Sequence, residues 1–249
     1  MDLRWEILVG YGPLFVQGLW MTLKLMAVSI SFGMLAGVVL GLVSSAHGKL
    51  APAGRGTRAL LAPVQWLAAA YVGFFRGTPL FVQILLVHFA LMPTLVHPET
   101  GLLLSGEAAA QFRQEHGAFL SGALALTLNS AAYISEIFRA GIQSVPRGQL
   151  EATQALAIPH LAALRLVILP QAFRKMIPAF VNEAITLTKD SSLVSAIGLA
   201  ELALAARTVA GAYSRYWEPY LAISAVYLVL TLLLARLAKR LEVPAHLRG

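Results

Sequence analysis

The chain has 249 residues, of which 58% are hydrophobic and 12% charged, and its mean hydropathy is +0.71. Ordinary globular domains carry about 25% charged residues, so this composition argues against a water-soluble enzyme, and the same apolar excess argues against disorder. Cysteine is absent, which removes disulfides, thiolate metal sites and Cys nucleophiles together. The net charge of +7 suits cytoplasmic loops facing anionic lipid and needs no nucleic acid to explain it.

A membrane span needs about 20 mostly apolar residues, and the sequence offers five. Leu25 to Val43 is the first, with Gly10 to Lys24 read as a lead-in lying in the outer interface. Ala59 to Leu91 would rise about 50 Å as one helix, far beyond a core of about 30 Å. Arg76-Gly77-Thr78-Pro79 should break it. An interfacial helix over Ala59–Phe75 and a second span over Pro79–Val96 are therefore expected. Gly117 to Ser135 is the third span, Ile177 to about Ala200 the fourth, and Pro219 to Ala235 the fifth. The stretch from Thr94 to Gly117 reads as an outward loop. The fold class expected is an all-α integral membrane protein, a single transmembrane domain over residues 1–249. The start, with Asp2, Arg4 and Glu6, does not have the basic region of a cleavable signal.

Lys and Arg near the span ends set the orientation. Lys49, Arg55 and Arg58 follow the first span; Arg139, Arg147, Arg165, Arg174 and Lys175 follow the third; Arg236, Lys239, Arg240 and Arg248 follow the fifth. The alternate connections are poorer, with Arg4, Arg113, Arg207 and Arg215. This alternation predicts an N-terminus outside and a C-terminus in the cytoplasm.

The long connection between the third and fourth spans is expected to be structured. Ser144-Val145-Pro146 is a helix start, Gln149–Ile158 reads as a short amphipathic helix ended by Pro159, and Leu161–Leu169 as a second one stopped by Pro170. Such a pair suits docking of a soluble partner, and it equally suits lying on lipid.

Several motifs here resemble those of the polar amino-acid permeases of ATP-binding-cassette (ABC) importers, the histidine/glutamine type. Glu151-Ala152-Thr153-Gln154-Ala155-Leu156-Ala157 followed by Val167-Ile168-Leu169-Pro170 is similar to their signature Glu-Ala-Ala, three residues, Gly, nine residues, Ile-x-Leu-Pro. Thr153 stands for the third Ala, Ala157 for the Gly and Val167 for the Ile. Phe75-Arg76-Gly77-Thr78-Pro79, Asn129-Ser130-Ala131-Ala132-Tyr133, Glu136-Ile137-Phe138-Arg139-Ala140-Gly141, Leu169-Pro170-Gln171-Ala172-Phe173-Arg174 and Lys189-Asp190-Ser191-Ser192-Leu193 resemble further family segments. The likeness runs from about Gly18 to Leu237.

The resemblance implies a type I importer permease fold with a cytoplasmic coupling segment over residues 144–170. It implies that Leu150, Glu151, Ala152, Ala155 and Ala157 meet a cytoplasmic ATPase subunit. It also implies a second permease subunit (identical or paralogous), an external solute-binding protein, an amino acid cargo, a bacterial inner membrane location, and ATP with Mg held by the partner. The chain itself carries no Gly-rich Lys-Ser/Thr phosphate loop and no metal-ligand spacing, so no catalytic site and no cofactor of its own are expected.

Charged and polar residues at membrane depth cost about 2.5–3.5 kcal/mol per charge and call for a reason. Asn129, Tyr133 and Glu136 share one helical face. A wall of the translocation path and interhelical hydrogen bonding both fit them, and Glu136 also suits pairing with Arg139. Asn182, Glu183, Lys189 and Asp190 interrupt the fourth span; Lys189 and Asp190 cannot face each other on a helix, which points to a path or gate. Arg76 suits either carboxylate recognition or snorkelling to headgroups. Gly33, Gly37 and Gly41 permit close helix approach, within the chain or at a subunit interface. The alternatives are an ion-coupled secondary transporter, which needs its own ion site, a membrane-embedded enzyme and a passive bundle.

Overall fold

The structure is a computed structural model that describes residues 3–45 and 55–241. The described residues form helices: α1 (Glu6–Val9), α2 (Gly12–Ser45), α3 (Arg55–Gly77), α4 (Leu80–Leu95), α5 (Glu107–Gln143), α6 (Arg147–Ala155), α7 (His160–Ile197), α8 (Leu202–Tyr213) and α9 (Trp217–Leu241). Among the described residues β-pairing is limited to one isolated bridge, Val96 to Leu104. Three helices, α2, α5 and α9, are each long and apolar enough to cross a membrane. The bent pairs α3 with α4 and α7 with α8 bring the count to five if each pair is one span. Lys49 and Arg248, used above for orientation, lie outside the described residues.

The lead-in over Gly10 to Lys24 is not a separate element, because α2 runs unbroken for 34 residues, about 51 Å. Past Pro13, in its first turn, no proline interrupts it, and Thr22 and Leu25 are fully buried on one side. The break after α3 falls where Thr78-Pro79 required it, with Pro79 extended at φ −64° and ψ 131°. The outward loop is also corrected. Residues 107–116 are already helical, beginning α5 twenty-eight residues before Ser135. Polar composition concealed this, yet Gln111 donates to Glu115 one turn on at 2.9 Å and Ala109 is fully buried. Only Val96–Gly106 remains as a connection. It is folded back on itself by Leu102 N–H to Thr94 O (3.0 Å), Leu103 N–H to Leu95 O (2.8 Å) and Gly106 N–H to Pro98 O (2.8 Å).

Pro170 does not stop a helix. Residues 164–168 form one wide π-helical turn, and Leu169 to Asp190 continues as α-helix with Pro170 second in line. A proline ring collides with the carbonyl four residues earlier; widening the turn there makes the room. The same device precedes Pro93, where residues 87–91 are π-helical. Helix α8 is a further correction: the sequence reading left its residues as an outer connection, whereas Leu202–Tyr213 is a helix with five buried residues.

By proximity the chain divides into two compact units. One comprises residues 3–31, 78–128 and 184–233, with a core around Leu25, Ile84, Leu126, Leu187 and Val194 and a second cluster of Leu202, Ala206 and Ile223. The other comprises residues 32–45, 55–77, 129–183 and 234–241, with a core of Ile134, Phe138, Ile142, Ile168, Met176 and Phe180. In this second unit Gly37 and Gly41 lie against α5. A Cβ on Gly37 would stand 2.6 Å from Ile134, and one on Gly41 would stand 2.8 Å from Phe138. Glycine here lets two backbones close on bulky residues. The ascending register, 37 to 134 and 41 to 138, makes the two helices parallel.

Candidate functional site

Helix α6 starts after Pro146, extended at φ −56° and ψ 141°, which supplies the preset backbone of a helix entry. Of its nine residues Thr153 alone is buried, and its hydroxyl donates to Leu150 O at 2.7 Å. Glu151, Ala152 and Ala155 are exposed and Leu150 is half-buried. The helix ends on a left-handed residue: Ala157 has φ +51°. Ile158 N–H donates to Thr153 O (2.9 Å) and Ala157 N–H to Gln154 O (2.9 Å), the paired bonds of a Schellman stop. That stop favours Gly, and Ala pays roughly 1–2 kcal/mol for the left-handed well. The expected helix over Gln149–Ile158 is thus present, shifted to Arg147–Ala155. Leu156 and Leu161 follow it, 73% and 75% exposed. Lys175 Nζ donates to Ser144 O at 3.0 Å and Gln171 Nε2 to Gln149 Oε1 at 3.3 Å, fastening the segment to the start of the α-helical part of α7.

Four of the eight residues expected to line a path are brought together. Glu136 accepts from Arg139 at both oxygens, Nε to Oε1 at 3.0 Å and Nη2 to Oε2 at 2.8 Å. Arg76 Nη1 lies 3.3 Å from the same Oε2, and its guanidinium sits over the Tyr133 ring, 5.5 Å from the centroid. One carboxylate shared between two guanidiniums leaves a net positive charge against an aromatic face, an arrangement fit to hold a carboxylate. Asn129, buried, donates to Phe75 O at 3.1 Å and so holds the last turn of α3 beside Arg76. Arg139 was expected only as a partner of Glu136; the chelate makes it a full member of the cluster.

The other four lie along α7. Asn182 is exposed and Glu183 half-buried in the second unit; Lys189 is exposed and Asp190 half-buried in the first. Among the described residues no ion pair joins Lys189 or Asp190 to another helix. They mark instead the point where α7 tightens from α-helix to 3₁₀ over Ser191–Ile197. Ser191, Ser192 and Ser195 each donate to the carbonyl three residues back at 2.7 Å. Gly198, at φ +83°, closes the segment.

Glu201 escaped the sequence reading. It is fully buried, caps α8 by accepting Leu204 N–H at 2.9 Å, and accepts the Tyr227 hydroxyl at 2.9 Å. Thr22 Oγ1 accepts Leu202 N–H beside it at 3.3 Å. An acidic residue directly before an apolar run is the N-cap signal that was available. Glu218, also buried, accepts from Arg215 and from Arg4 N–H. Among the described residues no group of three His, Cys, Asp or Glu side chains is disposed to hold a metal ion.

Residues 52–243 match the family model described as binding-protein-dependent transport system inner membrane component. The chain is 36% identical over 97% of its length to the arginine transport system permease protein ArtQ of Bacillus subtilis strain 168, covering 97% of that protein. It is 33% identical to the glutamate/aspartate import permease protein GltK of Escherichia coli O157:H7, with 93% of each chain covered. Among solved structures, a crystal structure of an amino acid ABC transporter with histidines matches at a TM-score of 0.78 and 36% identity, covering 97% of this chain and 99% of that one. An inward-facing MetNI methionine ABC transporter shares the fold at a TM-score of 0.68 and 18% identity, covering 92% and 97%. These matches give the ion-coupled alternative no support.

Proposed function

The chain belongs to the family of binding-protein-dependent transport system inner membrane components and is the permease subunit of an ABC importer; we propose that its cargo is a polar amino acid. It is a multi-pass membrane protein with no ATPase site of its own. The relatives are named for arginine and for glutamate or aspartate, cargoes of opposite side-chain charge. What those cargoes share is the α-amino carboxylate. The Arg76–Glu136–Arg139 cluster, positive overall, suits that shared group, with Asn129 and Tyr133 beside it. Asn182, Glu183, Lys189 and Asp190 then serve the path or its gate where α7 changes winding.

The observation that carries the coupling role is α6, which bears the signature residues yet keeps Glu151, Ala152 and Ala155 on an open face. Two cytoplasmic ATPase subunits, binding ATP and Mg, grip that face in each of two permease subunits. Their closure rocks the permeases between outward and inward access around a midplane site, while an external binding protein delivers the cargo. The N-terminus lies outside and the C-terminus in the cytoplasm.

Reconstitution with the cognate ATPase and binding protein tests the cargo: a polar amino acid stimulates ATP hydrolysis, and a screen in which none does rejects it. Glu151→Arg reverses the charge on the docking face, so uptake falls at least tenfold with the chain still present in the membrane. Normal uptake in that variant counts against the coupling role. Lys189→Leu changes uptake and leaves assembly intact.

A further inference from the structure

An apolar groove of about 560 Å³ opens on the second unit, lined by Val38, Leu42, Phe138, Phe173, Met176 and Arg174 among others. Its floor is fixed. Phe138 and Met176 are buried in the core, and Gly41 brings α2 hard against Phe138. Its outer wall is open: Leu42 and Phe173 are 41% and 54% exposed. The groove sits at helix ends. Leu42 is one turn from the end of α2, Phe138 five residues from the end of α5, and Phe173 in the first turns after the π-helical stretch of α7. In a spanning bundle that level is the boundary between hydrocarbon and headgroups.

The single charged side chain of the lining decides what belongs there. Arg174 is exposed and has no ion-pair or hydrogen-bond partner among the described residues. Its neighbour Lys175 is already committed to Ser144 O. An unneutralised guanidinium at the rim of an otherwise apolar channel matches a molecule with a hydrocarbon tail and an anionic head, and basic pockets between membrane helices select such lipids. We propose that this groove is a binding site for an anionic phospholipid, with one acyl chain between α2 and α7 and its phosphate on Arg174. The proposal does not rest on the cargo or on the coupling role, although Leu169 and Pro170, at the end of the coupling segment, also line the groove.

The test uses the assembled importer in phosphatidylcholine nanodiscs doped with phosphatidylglycerol carrying a photoactivatable acyl chain. Crosslinks map to residues 38–42 and 169–176, and unlabelled phosphatidylglycerol competes for them better than phosphatidylcholine. Arg174→Gln weakens that competition roughly fivefold, the effect of one cation on an anionic headgroup. Leu42→Trp, which fills the groove and keeps the charge, abolishes the crosslink, and Arg165→Gln, an exposed cation outside the lining, leaves it unchanged. Crosslinks elsewhere, equal competition by phosphatidylcholine, an effect of Arg165→Gln as large as that of Arg174→Gln, or displacement by deacylated glycerophosphoglycerol would each overturn the proposal. So would crosslinking of these residues to a second copy of the chain in place of lipid. The mapping needs no variant, so a misfolded Leu42→Trp does not shelter the proposal.

Discussion

Helices α6 and α8 are both short connecting elements between longer helices, nine and twelve residues, and they are used in opposite ways. Helix α6 buries Thr153 alone; α8 buries Leu202, Ala205, Ala206, Val209 and Ala210. Helix α6 begins without a side-chain cap and ends on an alanine in a left-handed turn. Helix α8 is anchored at its start by a carboxylate that meets both its own backbone and Tyr227. Core helices are held by their own chain. Helix α6 is left open on most of its surface, with strain retained at its end, and that open face is the one to which the proposed ATPase contact is assigned.

Matched substitutions on the two helices test that contrast. Ala206→Asp places an unpaired charge in a fully buried position and should cost about 3 kcal/mol, seen as loss of the chain from membranes. Ala155→Asp, the same change on α6, should shift stability by no more than about 0.5 kcal/mol; equal losses in the two variants would erase the distinction. Glu201→Ala leaves Leu204 N–H and the Tyr227 hydroxyl without their acceptor and should cost about 1–3 kcal/mol in a denaturation series. Ala157→Gly relieves the left-handed turn and should stabilise the end of α6 by about 1 kcal/mol, read as slower amide exchange at Ala157 and Ile158. No change there would mean the turn is already relaxed.

The same contrast explains what was legible in the sequence. Helix α6 was found because proline, polar spacing and a family signature coincide in a few residues. Helix α8 was missed because Arg207 and Arg215 were read as markers of an outer loop, when Arg207 is simply the exposed side of a helix whose small residues pack inward. Spans were legible from missing charge, but their true lengths were not: α5 extends into polar residues through local pairs such as Gln111 with Glu115. Pro170 misled because a proline's clash can be absorbed by one widened turn, and no residue pattern announces that turn. Of the site, the Arg76, Asn129, Tyr133 and Glu136 cluster came from spacing and motif. The Arg139–Glu136 pair was legible too, one turn apart on a single helix, whereas the approach of Arg76 to the same carboxylate and the burial of Glu201 depend on tertiary neighbours.

The glycine seam on α2 bears on how two copies of this subunit can associate. The hollows at Gly37 and Gly41 are already plugged from within by Ile134 and Phe138. A twin chain therefore cannot nest there by the familiar small-residue route unless α5 first withdraws, and any pairing of permeases has to find its seam on a different flank.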